Sequence, residues 1–248
     1  MKVAIFKFAS CDGCQLAFFD LAEKLMELPL EISYFLEAQS ENDFEEVDVA
    51  FVEGSISTEE EIRRIKEIRE KSQKVIAIGA CSVSGGIQAI RNVLDFREVL
   101  TYVYPQPEYI QSLEMSKPIS DFVDVDFEIR GCPITKENLE EVINSILIDK
   151  KPSLPEYPVC LECKRKGNPC VLILGKPCIG GITKAGCGAI CPSFNLGCYG
   201  CFGPIEDPNI TALDEIFKLK GFGNVYEKIL TSFNNYNKVY RGDDEEKG

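Results

Sequence analysis

Twelve cysteines and not one histidine set the chemistry open to this 248-residue sequence. Eight of the cysteines fall in two short runs, Cys160-x2-Cys163-x6-Cys170-x7-Cys178 and Cys187-x3-Cys191-x6-Cys198-x2-Cys201. The other four, Cys11, Cys14, Cys81 and Cys132, are spread through the first half. Four thiolates complete either a cubane iron–sulfur cluster or a structural zinc site, so twelve make three such sets. The count does not decide between the metals. The spread of one set from position 11 to position 132 favours iron–sulfur, because structural zinc sites are usually compact. Without histidine the usual general base and the mixed Cys/His zinc modules are both missing, which leaves all-thiolate ligation. Gly175, Pro177, Gly180, Gly181, Gly186 and Gly188 crowd the C-terminal runs, as a backbone folding tightly around an inorganic object and aiming amides at its sulfurs requires.

The totals narrow the setting. Lys plus Arg number 27 and Asp plus Glu 40, a formal charge of −13 that disfavours a broad nucleic-acid-binding or anionic-lipid-binding face and points to protein partners. No apolar run is long enough to cross a membrane, and the opening MKVAIFKFASCDGC does not read as a signal peptide, so a cytoplasmic location is expected. In that reducing compartment free thiols oxidise and scavenge metals, and metal ligation accounts for the cysteines better than disulfides do. Neither G-x-G-x-x-G nor G-x-x-x-x-G-K-[ST] occurs, which disfavours a bound nucleotide.

Apolar patterning supplies the elements that must position these thiols. Residues 2–9, 31–38, 47–53 and 74–79 read as strands, with a helix over 15–27 and a second, opened by Thr58, over TEEEIRRIKEIREKS. Residues 93–121 form an irregular excursion, 122–130 alternate like a half-exposed strand, and Thr135 opens a helix to about Lys150. Such alternation predicts an α/β fold, a flavodoxin-like doubly wound parallel sheet over residues 1–150, followed by a smaller, loop-rich iron–sulfur domain over 151–248. Lys151–Pro155 reads as the linker, 211–233 as a short helix pair, and Asp243–Glu246 as a disordered acidic tail. Ligands of doubly wound sheets sit beyond the carboxyl ends of the strands, which gathers Cys11, Cys14, Cys81 and Cys132 on one edge. Phe18, Phe19, Phe35 and Phe51 read as core, and Asp12 either as an exposed filler or as a polar group near a partner's site.

Three motifs in order carry a resemblance. Cys11-Asp12-Gly13-Cys14, then Gly79-Ala80-Cys81 followed by Gly85-Gly86-Ile87, then Gly131-Cys132-Pro133 resemble the small, electron-transferring subunit of nickel–iron hydrogenases. The resemblance implies that Cys11, Cys14, Cys81 and Cys132 hold a proximal [4Fe-4S] cluster, Cys160, Cys163, Cys170 and Cys178 a distal one, and Cys187, Cys191, Cys198 and Cys201 a medial one. A ferredoxin-style exchange of ligands between the last two sets stays open. Many members of that family carry histidine where Cys160 stands and proline where Cys191 stands, so three [4Fe-4S] clusters are expected here, the medial one of lower potential than a [3Fe-4S] centre.

Neither the twin-arginine signal nor the membrane-anchoring tail of uptake hydrogenases is present, and the sequence looks like the cytoplasmic group, similar to the delta subunit of archaeal sulfhydrogenases. The resemblance implies no catalytic residue in this chain. It implies a nickel–iron large subunit and flavin- and iron–sulfur-bearing NAD(P)-reducing subunits as partners in a heterotetramer, with sulfur reduction as a further activity of the complex. A deazaflavin-linked or heterodisulfide-reductase-linked hydrogenase is the alternative acceptor system, and a zinc-stapled structural subunit the alternative of another class. The cluster-bearing subunit of respiratory complex I shares the first fold, but the eight further cysteines and the lack of an adjacent Cys-Cys pair argue against it.

Overall fold

The computed structural model describes residues 1–40, 42 and 44–234. Its centre is a five-stranded, all-parallel sheet of order β2-β1-β3-β4-β5, the flavodoxin-like arrangement expected from the alternation of elements. The strands are β1 (Lys2–Lys7), β2 (Glu31–Phe35), β3 (Val47–Glu53), β4 (Ser72–Ile78) and β5 (Phe127–Ile129). Successive residues serve opposite faces. Val3, Ile5, Val49, Phe51, Ile76, Ile78 and Ile129 form one core with Phe18, Leu139, Val142 and Ile143. Ala4, Phe6, Ala50, Val52, Val75 and Ala77 form the other with Ile56, Ile65, Ile68 and Ile119. Phe18, Phe35 and Phe51 are core as expected, whereas Phe19 is 45% exposed.

Helices α1 (Gly13–Phe19) and α2 (Ala22–Glu27) replace the single helix expected over 15–27. Leu21 N–H turns back to the Phe18 carbonyl, three residues away, and this tighter turn bends the chain so that Leu21 enters the core. Helix α3 (Glu59–Glu70) starts where Thr58 requires it. The Thr58 hydroxyl accepts Glu61 N–H at 3.2 Å, while the Glu61 carboxylate accepts the N–H groups of Thr58 and Ser57, a closed capping box. Helix α4 (Gly79–Ser84) follows β4 at once. The excursion contains α5 (Phe96–Val103), capped by Asp95 and burying none of its residues, and short 3-10 turns.

Strand β5 is three residues, not the nine expected over 122–130. The residues before it are diverted: Phe122, Val123 and Val125 pack on the second face of the sheet, and the Asp126 carboxylate caps Val75 N–H while pairing with Arg69. Helix α6 (Lys136–Leu147) opens at Thr135 as read from the sequence.

Residues 151–156 carry no regular structure. Beyond them come α7 (Val159–Arg165), α8 (Ile190–Ser193), α9 (Ile210–Leu219) and α10 (Gly223–Thr231), the last two matching the expected helix pair. The cysteine-rich segment has apolar packing of its own. Ile179 and Ile182 meet Leu213, Phe217, Tyr226, Ile229 and Leu230, while Val159, Val171 and Ala189 pack with Cys178 and Cys198. The acidic tail at 243–246 lies outside the described residues. Among the described residues no helix is long and apolar enough to cross a membrane.

Replacing Thr58 by alanine opens the capping box, at a cost of about 1 kcal/mol. Thermal unfolding of Thr58→Ala should show a melting temperature lowered by a few degrees with an unchanged cysteine environment; an unchanged melting temperature would mean that the box contributes nothing.

Candidate metal centres

The first four cysteines stand where strands end. Cys11 follows β1, Cys14 lies in the first turn of α1, Cys81 in the first turn of α4 beyond β4, and Cys132 beyond β5. Three hydrogen bonds draw these ends together: Ala80 N–H donates to the Gly131 carbonyl at 2.7 Å, the Cys81 thiol donates to the Gln88 amide oxygen, and the Gln88 amide NH2 donates to the Ala9 carbonyl. Asp12, in the left-handed region at φ 69°, pairs with Lys7 and stays partly exposed.

Their thiols are close enough to act on one another. Burial pushes the Cys14 thiol well above its ordinary value, with further contributions from Glu53, Cys81 and Cys132. Burial likewise pushes Cys81 up to about 11, with Cys132, Glu53 and Cys11 adding to it. Cys132 is raised by burial, then by Cys11 and Glu53. A buried thiol among thiols resists ionisation unless a cation arrives.

Similar contributions run through the C-terminal eight. Cys160 is pushed up to about 11 by burial, with Cys178, Cys163 and Cys170 adding. Cys178 is raised by burial, with Cys170 and Cys163 adding against the amides of Cys198 and Gly180. Cys187 is raised by burial, against the amides of Ala189 and Ile190, with Glu162 and Cys191 adding. Cys201 is pushed up to about 12 by burial, with Cys187, Cys132 and Cys191 adding. Burial raises Cys198 as well, with contributions from Cys178 and Cys201. Two links cross between the sets: the Cys132 amide serves Cys201, and Cys198 N–H donates to the Cys178 sulfur at 3.2 Å.

The surroundings fit a polynuclear group held by sulfur. Gly79, at φ +84°, faces Cys14 so closely that any Cβ would collide with the sulfur, and a Cβ at Gly86 would come within 2.7 Å of Cys81 Sγ. Amides point at the sulfurs of Cys14, Cys178, Cys187, Cys198 and Cys201. Among the described residues no three His, Cys, Asp or Glu side chains converge tightly enough for a single ion.

Sequence reasoning missed Glu53. It is 1% exposed, and its Oε1 accepts Cys14 N–H at 3.1 Å. Burial raises its carboxyl, opposed by that amide and by the Gln15 side chain. The signal was a lone carboxylate closing the apolar strand VDVAFVE.

A sequence profile of the NADH ubiquinone oxidoreductase 20 Kd subunit matches residues 11–146, a span that holds all four strand-end cysteines. The chain belongs to that family. Beyond the profile it is 38% identical over 221 residues to sulfhydrogenase 2 subunit delta of Pyrococcus furiosus, covering 88% of this chain and 92% of that one. It is 39% identical over 238 residues to a subunit of the vhu F420-non-reducing hydrogenase of Methanocaldococcus jannaschii, with 83% of each covered. A chain in the crystal structure of NAD+-reducing [NiFe]-hydrogenase in its H2-reduced state shares the fold at TM-score 0.56 and 27% identity, covering 62% of this chain and 95% of that one. Within the family, the chain matches the small subunits of hydrogenases.

The raised thiols make labelling pH-dependent. The thiolate is the attacking form and burial favours the thiol, so each upward shift moves reaction to higher pH. In the metal-free chain, iodoacetamide near neutral pH should label the exposed Cys11 and Cys170 first. Cys81 and Cys160 should follow as pH approaches about 11, and Cys201 near 12. Stability of that chain should fall over the same interval, because the native state holds protons the unfolded state has released. Peptide mass spectrometry across pH checks this, and equal labelling of all twelve cysteines at neutral pH would contradict the packing.

Proposed function

We propose that this chain is the electron-relaying small subunit of a cytoplasmic nickel–iron hydrogenase, holding three [4Fe-4S] clusters between the nickel–iron site of a large subunit and a flavin- and iron–sulfur-bearing NAD(P)-reducing partner. Cys11, Cys14, Cys81 and Cys132 are the proximal ligands; Cys187, Cys191, Cys198 and Cys201 the medial; Cys160, Cys163, Cys170 and Cys178 the distal. When bound, the clusters supply reversible one-electron carriage.

One observation carries this reading. The Cys132 amide serves Cys201 and Cys198 N–H donates to the Cys178 sulfur, contacts that support a medial set lying between the proximal and the distal one. A structural scaffold has no need of a line, whereas a relay does. The chain's own residues do the rest: thiolates hold, amides and the apolar packing at Cys178 and Cys198 tune, and the glycines at Gly79 and Gly86 leave room at the sulfurs. Division of labour between residues 1–150 and 151–248 follows the same order, the sheet presenting the proximal set to the large subunit and the C-terminal domain carrying the other two. Likeness to a chain of an NAD+-reducing hydrogenase supports NAD(P) as the acceptor of the complex, and likeness to a sulfhydrogenase subunit supports sulfur reduction beside it.

Metal analysis of the anaerobically purified complex should find about twelve iron atoms and no stoichiometric zinc on this chain, with nickel on a larger co-purifying chain. Gly79→Ala, which pushes a methyl into the Cys14 sulfur, should remove about four of those irons. Gly223→Ala, where among the described residues nothing beyond its own helix lies within 4 Å of the new methyl, should remove none. Three zinc atoms and no iron would replace the relay with a scaffold.

A further inference from the structure

The run from Cys160 to Cys178 reaches the surface at Cys170, and its surroundings differ in charge from the rest of the molecule. Between Tyr157 and Ile205 stand five lysines and arginines and one carboxylate, in a chain whose formal charge is −13. The carboxylate, Glu162, is turned inward, its two oxygens accepting Gly186 and Ala189 N–H at 3.0 Å each. Lys164, Arg165 and Lys166, at the C-terminal end of α7, are exposed. Among the described residues none of the three forms an ion pair.

Cys170 comes to the surface a few residues further on and is itself exposed. Its carbonyl accepts Ile173 and Leu174 N–H, a tight turn that leaves Ile173 78% and Leu174 53% exposed. An exposed cysteine thus stands in the chain between three cations without ion-pair partners and two bare apolar side chains. Apolar contact at the centre with charge at the rim is the composition of a protein-binding surface, where complementary charge sets orientation and encounter rate.

We infer that Lys164, Arg165, Lys166, Ile173 and Leu174 form the docking surface for an acidic redox partner, a protein surface that sets Asp and Glu carboxylates around its own electron-accepting group. The inference rests on the relay reading and adds to it where the last ligand set is approached and what sign of charge approaches. Arg165 is already steadied for this role, its guanidinium lying 5.4 Å from the centre of the Tyr157 ring. A polyanionic nucleic acid would meet the same cations, but the rest of this chain is acidic and would repel it.

A carbodiimide, which condenses a lysine amine with a carboxylate in direct contact, tests the surface on the native complex whatever chain the partner proves to be. Peptide mass spectrometry should find Lys164 or Lys166 joined to Asp or Glu of another chain. The same joints should weaken about tenfold when the complex is held at 0.5 M rather than 0.1 M salt before coupling. In Lys164→Glu/Arg165→Glu/Lys166→Glu, the partner chain should be lost from the purified complex, whereas the Gln triple variant should retain part of it. Reduction of benzyl viologen, a cationic dye, should not fall in either. Lysines that acetylate freely in the intact complex and cross-link to no other chain would overturn the proposal, as would a charge-reversed complex that keeps its full complement. Iron content and the reduced-state EPR spectrum of the same preparation separate the two levels: full iron without cross-links removes the docking surface alone, and missing iron removes the relay beneath it.

Discussion

Thiols gathered near one another, ten of the twelve at least partly withdrawn from water, are the condition on which this molecule is built. Each buried thiol resists losing its proton, and each neighbour in its set adds to that resistance. Left alone, such an arrangement is costly; with a multiply charged inorganic core inside each set, the same repulsions become attractions. The glycines against the sulfurs and the amides aimed at them belong to that second state. They leave volume and hydrogen-bonding direction for an object larger than a side chain.

The parallel sheet meets this condition by geometry. Every strand of a parallel sheet runs the same way, so the loops at the carboxyl ends of β1, β4 and β5 open on one edge. Glu53, at the end of β3, completes that edge by fixing the amide of Cys14 from behind. The C-terminal segment works differently. It has little regular structure around its cysteines and relies on tight turns, on the α9–α10 pair packed over Ile179 and Ile182, and on Thr135 and Asn234, which tie Gly186 and Gly200 to their surroundings.

Much of this was legible in the residues. Strand β3 and helix α3 fall where apolar alternation and the Thr58 cap put them, and the strand order is the one that alternating elements imply. The errors have local causes. The break at Leu21 follows from a three-residue hydrogen bond that no periodicity reveals, and β5 is cut short because Phe122, Val123 and Val125 find better burial on the sheet than beside β4. The gathering of Cys11, Cys14, Cys81 and Cys132 beyond the strand ends was legible from the order of the elements. That Cys132 approaches Cys201 and Cys198 approaches Cys178 was not, because those contacts depend on how stretches distant in sequence meet. Glu53 escaped notice because a carboxylate at a strand end looks like a solvated cap until its burial is known.

The distribution of the cysteines along the chain also bears on the order in which the molecule is made. Cys160 to Cys178 and Cys187 to Cys201 are each contained in a stretch short enough to close around metal at small entropic cost. The set of Cys11, Cys14, Cys81 and Cys132 has no such freedom: with β3 lying between β1 and β4, its members meet only once β1, β3, β4 and β5 are in register. Filling that set is therefore a report that the sheet has closed. A chain whose first half has misfolded leaves these four thiols scattered, whatever becomes of the two C-terminal runs.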